Sequence, residues 1–264
     1  MEPHCLVYIA YPISGILAKP DWGHVMQQSV TPDFRFTDAY LLITVGIVGA
    51  TIAPWMQFYL QATVVEKGTR AQSYKLARWD VIIGGIFAVV VVFFITIACA
   101  ATLHASGERI TTAGQAAAAL RPLAGEYASL LFAIGLMNAA LFAASILPLS
   151  TAYVICEGIG WERGVGRSFR EAPHFYILFT GLIVLGAGLV LVPGVPLLRI
   201  LLLSQVMNGL LLPAILVLML LLAGRRALMG ELALSRGYLI FCWAVCAALT
   251  VLDLVLLAST FARR

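Results

Sequence analysis

The chain has 264 residues, 61% of them hydrophobic and only 11% charged. Soluble domains carry roughly 25% charged residues, so an ordinary soluble enzyme is excluded and an all-α polytopic membrane protein is expected. The formal net charge of +4 does not point to nucleic acid, because the basic residues fall in short loops between apolar runs.

Seven apolar segments follow in order and read as one integral membrane domain over residues 1–264. The first, about 5–18, is short for a span of about 20 residues and reads as the far end of a helix whose beginning is absent. The second, about 39–65, is long enough but carries Gly46, Gly49 and Pro54. Proline lacks an N–H and its ring collides with the carbonyl four residues back, so a break is expected between Ala50 and Ala53. Gly46 and Gly49 are expected to loosen the same turn. Lipid cannot satisfy opened backbone, so the break faces protein or a watery cavity. Two readings stand there: a packing kink, or an ion site built from free carbonyls.

The remaining segments fall at about 81–103, 127–155, 175–192, 197–223 and 238–261, with a short extramembrane helix expected over 113–120. Breakers separate them at Lys19-Pro20-Asp21, Ser106-Gly107-Glu108, 158–166 and Pro193-Gly194-Val195-Pro196. Three loops hold ten basic residues: Lys67, Arg70, Lys75 and Arg78, then Arg163, Arg167 and Arg170, then Arg225, Arg226 and Arg236. The opposite side holds seven, Lys19, Arg35, Arg109, Arg121, Arg199, Arg263 and Arg264, so the ten are expected in the cytoplasm. A multi-pass protein of the cell (inner) membrane is the expected location. Met1-Glu2-Pro3-His4 offers no basic signal region.

Polar residues inside apolar segments are costly and so informative. Gln205 and Asn208 lie within one turn of each other ahead of Pro213; they either pair between helices or line an ion path. Asp253 sits about two turns from the end of the last segment, and an acid there reaches the interface or a hydroxyl, or serves function. Asp80 is read as the favoured charge at the start of the third segment. Glu126 and Glu157, near segment ends, need no special role. Ser145, Ser150 and Thr151 flank Pro148 and can serve the backbone it frees. Cys5, Cys99, Cys156, Cys242 and Cys246 lie in apolar segments, as packing residues rather than a disulfide or zinc framework. His4, His24, His104 and His174 fall in loops or at segment ends. No phosphate loop, catalytic triad or hydrolase motif is present, so an enzyme is not expected.

GATIAPWMQFYLQ at 49–61 resembles the sixth helix of the NRAMP metal transporters, whose pattern is Gly-Ala-x-x-Met-Pro-His. LAKPDW at 17–22 looks like the exit of the fifth helix, LFAIGL at 131–136 with EGIG at 157–160 like the eighth, and SQVMNGLLLP at 204–213 like the tenth. The resemblance covers nearly the whole chain and implies helices five (partial) to eleven of a LeuT-like inverted-repeat fold, the first four being absent. It implies a divalent cation as substrate, Mg²⁺ or Mn²⁺, with no resident cofactor. The partners it implies are the metal ion, the lipid bilayer and the missing N-terminal half, whose Asp-Pro-Gly-Asn carboxylate has no equivalent here.

By the same resemblance, the Ala50 carbonyl is the direct ligand, Ala53 the selectivity position and Gln205 a transient ligand, supported by Asn208. Gly49, Pro54 and Trp55 complete the kink. Ala53 stands where the family has its methionine and Trp55 where it has its histidine, which is similar to the divergent branch associated with magnesium. Thioethers suit softer metals, whereas Mg²⁺ takes hard oxygens and keeps several waters. Proton-coupled Mn²⁺/Fe²⁺ import, and a non-transporting fragment with a structural role, are the alternatives.

Overall fold

A computed structural model describes residues 6–31, 37–69, 73–104, 113–121 and 125–261. His4, Cys5, Arg35, Arg70, Ser106-Gly107-Glu108, Arg109, Arg263 and Arg264 lie outside them. The described residues form α1 (Leu6–Leu17), α2 (Trp22–Val30), α3 (Asp38–Thr51), α4 (Pro54–Glu66), α5 (Tyr74–Cys99), α6 (Ala113–Ala116), α7 (Ala128–Ile159), α8 (Pro173–Leu191), α9 (Leu197–Ala223), α10 (Arg226–Met229) and α11 (Arg236–Phe261). The protein is an all-α multi-pass membrane protein. Six described stretches are long and apolar enough to cross a bilayer, and the helix at Tyr8–Leu17 is shorter, as its sequence predicts.

Local chemistry sets the helix ends. The Asp21 carboxylate accepts from the Gly23 and His24 amides at 3.0 and 3.2 Å, so Lys19-Pro20-Asp21 is an N-cap as well as a breaker. It starts α2, an element the apolar pattern alone did not mark. The Trp161 amide reaches back to the Cys156 carbonyl at 2.8 Å, with Gly160 at φ +82, closing α7 as a left-handed C-cap. Pro173 opens α8, where a missing N–H costs nothing. The expected helix over 113–120 is one α turn followed by 3₁₀ geometry at Ala117–Leu120.

α5 begins at Tyr74, so Asp80 stands in its second turn and not at its start. The helix-dipole explanation for Asp80 therefore fails, because that field fades beyond the first turn.

The chain divides into two compact units, one of residues 1–33 and 63–149, the other of residues 34–62 and 150–264. In the first, α1 packs on α5. Gly15 sits where an added Cβ would stand 3.2 Å from the Phe94 carbonyl oxygen, and Trp22 meets the Phe94 ring edge-on with centroids 6.5 Å apart. In the second, Leu41 and Val45 of α3, Val206 of α9 and Leu256 of α11 form a buried apolar cluster, flanked by Leu42, Leu210, Leu252 and Val255. That three-helix core holds the first half of the broken helix in place.

Candidate functional site

The break lies between α3 and α4 and is shorter than expected. α3 stays helical through Thr51, and only Ile52 and Ala53 are non-helical before Pro54 opens α4. The Ile52 amide still bonds the Val48 carbonyl at 2.9 Å, and the next bond forward joins the Met56 amide to the Ala53 carbonyl at 3.1 Å. Pro54 has no N–H to offer Ala50. Among the described residues no backbone N–H reaches the Ala50 carbonyl. The Thr51 hydroxyl is turned back on the Ile47 carbonyl at 2.8 Å and does not cap the opening.

The site residues fall on different sides of this break. Ala50 is exposed, while Ala53 is 2% exposed and Pro54 is buried beside it. Trp55 is half-buried and tilted against Tyr59, ring centroids 6.5 Å apart. Gln205 and Asn208, both half-buried on α9, bond each other: the Asn208 amide nitrogen donates to the Gln205 amide oxygen at 3.2 Å. Asn208 thus meets Gln205 within their own helix and not across a pair of helices.

Gly46 and Gly49 do not loosen the turn; both remain helical and buried. At Gly49 the role is close approach. A Cβ on Gly49 would overlap the Gln205 carbonyl oxygen and the Gly209 amide, so the backbones of α3 and α9 touch there. Gly49 and Gln205 are brought together, through the Gln205 main chain and not its side chain.

Contacts that sequence reading missed hold the second half-helix. The Ser150 hydroxyl, on α7, donates to the Trp55 carbonyl at 3.1 Å, and Ser145 bonds its own helix at Leu141. Neither bond serves the Ala144 carbonyl that Pro148 leaves without its usual donor. Glu157, assigned no role above, accepts from Arg163 at 2.8 Å and from the Gln61 side chain of α4 at 3.4 Å. Asp253 is 8% exposed, and its Oδ2 has no hydrogen-bond partner. Cys156 and Cys246 are buried free thiols, the latter 3.7 Å from the Pro213 carbonyl. Among the described residues no group of three or more His, Cys, Asp or Glu side chains stands close enough to hold a metal.

This arrangement defines a class: multi-pass helical membrane proteins in which one span is interrupted and an amide-bearing helix lies on its first half. The Natural resistance-associated macrophage protein-like (Nramp) family matches residues 4–259, and the chain belongs to that family. It is 27% identical over 262 residues to the divalent metal cation transporter MntH of Clostridium acetobutylicum, covering 97% of this chain and 58% of that protein. It is 29% identical over 238 residues to the divalent metal cation transporter MntH of Erwinia tasmaniensis, covering 87% and 54%. The chain thus spans about half the length of the curated relatives it matches. Both relatives are named as transporters and neither as an enzyme, in line with the expectation from sequence.

Proposed function

We propose that the protein carries divalent metal cations across the cell membrane by alternating access around the α3–α4 break. The observation that supports this most is the carbonyl of Ala50, an exposed residue, which has no backbone donor among the described residues in the middle of a membrane-spanning stretch. A free carbonyl is a hard oxygen ligand, which suits a cation that arrives with part of its water shell. Gln205, braced by Asn208, adds a neutral amide oxygen from the adjoining helix. Both relatives are named as divalent metal cation transporters, which agrees with this reading.

Within that class, Ala53 and Trp55 favour Mg²⁺ or a broad divalent range, since neither residue supplies a sulfur or imidazole ligand. Family membership accommodates proton-coupled Mn²⁺/Fe²⁺ import equally well. Uptake into proteoliposomes tests both: Mg²⁺ flux comparable with Mn²⁺ flux supports the first. Mn²⁺ flux that needs an inward proton gradient and excludes Mg²⁺ supports the second. Absence of any divalent flux overturns the proposal.

A further inference from the structure

We propose that Gly49 and Gly209 are positioning residues, whose missing side chains let α9 lie backbone to backbone on α3 and so set where Gln205 stands relative to the opened carbonyls. The inference rests on the reading of Gln205 as a ligand and adds what holds it in register. The contact is reciprocal. A Cβ on Gly49 would overlap the Gln205 carbonyl and the Gly209 amide, and a Cβ on Gly209 would stand 2.5 Å from the Val45 carbonyl oxygen and 2.7 Å from Val45 Cγ1. Both obstacles include main chain, which cannot rotate aside. Gly46, one turn earlier on the same face, differs: its added Cβ would meet only the ends of Val206 and Leu202, at 3.4 and 3.5 Å.

The crossing lies where it controls the site. Gly49 is the residue before Ala50, and Gln205 is one turn before Gly209 on α9. Val45 and Val206 also belong to the buried cluster with Leu41 and Leu256, so the two helices are clamped on the same face. Ordinary contact begins near 3.4 Å, so an alanine at 209 requires α9 to retreat by about 1 Å. Gln205 moves with it.

The test pairs a distance with a thermodynamic cycle on the whole protein. Spin labels at Ile47→Cys and Leu203→Cys, both on exposed positions of α3 and α9, report the interhelix distance. Gly209→Ala is expected to lengthen it by about 1 Å, and Gly46→Ala to leave it unchanged. Mn²⁺ affinity, read by calorimetry, is expected to fall on the order of tenfold in Gly209→Ala and to fall no further when Gly209→Ala is added to Gln205→Ala. A structural role alone would instead give equal losses in both backgrounds, and that outcome overturns the proposal, as does an unchanged distance in Gly209→Ala. If Gly209→Ala yields too little folded protein, adding Val45→Ala removes the Cγ1 part of the overlap and leaves the carbonyl part, so a displacement is still expected; no displacement there counts against the proposal. Failure of the underlying ligand reading looks different: Gln205→Ala then leaves Mn²⁺ binding intact, while the labels still separate in Gly209→Ala and uphold the packing claim.

Discussion

The Ser150 hydroxyl donates to the Trp55 carbonyl at 3.1 Å, joining α7 to the first turn of α4. Ser150 is 1% exposed, so water does not compete for the bond. Hydrogen bonds between membrane helices average about 0.6 kcal/mol and reach about 1.7 kcal/mol. Ser150→Ala is therefore expected to lower unfolding stability within that range, read by thermal or denaturant unfolding in detergent. No loss would mean that the Trp55 carbonyl is served as well by its own helix.

Asp253 predicts the opposite sign. A buried oxygen with no partner costs about 1–3 kcal/mol relative to a satisfied or apolar one, and Asp253 Oδ2 is in that position beside the Leu252–Leu256 face of α11. Asp253→Leu, close in volume, is expected to hold or raise the melting temperature. A marked fall would show that the carboxylate has a stabilising role.

Glu157 links Arg163 and Gln61 from positions about a third exposed. Pairs of that exposure contribute about 0.2–1 kcal/mol and weaken with salt. Glu157→Gln should cost no more than that, and the cost should shrink at high ionic strength. A salt-independent loss would contradict the geometry.

The loop before α8 carries a pH response. The Ser168 amide and hydroxyl both donate to Glu171 Oε2, at 2.7 and 2.8 Å, and these bonds, with Arg167 nearby, hold the carboxyl below its usual value. A lowered folded value means stabilisation that is fully present above the unfolded value and lost as pH falls through the folded one. The protection of the Ser168 amide, its exchange rate relative to the intrinsic rate at the same pH, is expected to fall as the solution is acidified through the carboxylate range, and Glu171→Gln should flatten that profile. A profile unchanged by the substitution would contradict it.

Ala53 ties packing to selectivity. Its methyl group is buried, so Ala53→Met must displace neighbours and is expected to cost about 1–3 kcal/mol of stability. If the added thioether reaches the cation path, Cd²⁺ and Mn²⁺ binding should rise relative to Mg²⁺ in competition calorimetry. An unchanged order would favour the Mn²⁺/Fe²⁺ reading.

Most of the fold was legible because it depends on composition and period. Apolar runs and their Gly/Pro punctuation located all seven apolar segments, and the chemistry of Pro54 placed the break to within two residues. Side-chain reach was not legible. Asp21 as a cap, Ser150 on Trp55 and Glu157 on Gln61 each depend on a few ångströms of geometry, and the last two join residues about 95 apart in the chain. Gly49 was read as a source of flexibility because glycine permits both looseness and close approach, and only the position of α9 separates the two. For Asp253 the sequence left open the interface, a hydroxyl or a functional role, because its distance along the helix says nothing about which face it occupies.

The most direct test is to locate the cation. Crystals of the protein grown with Mn²⁺ should give an anomalous-scattering peak within coordination distance of the Ala50 carbonyl oxygen, with the Gln205 amide facing it. A protein that binds no Mn²⁺, or a peak away from the α3–α4 break, would contradict the account.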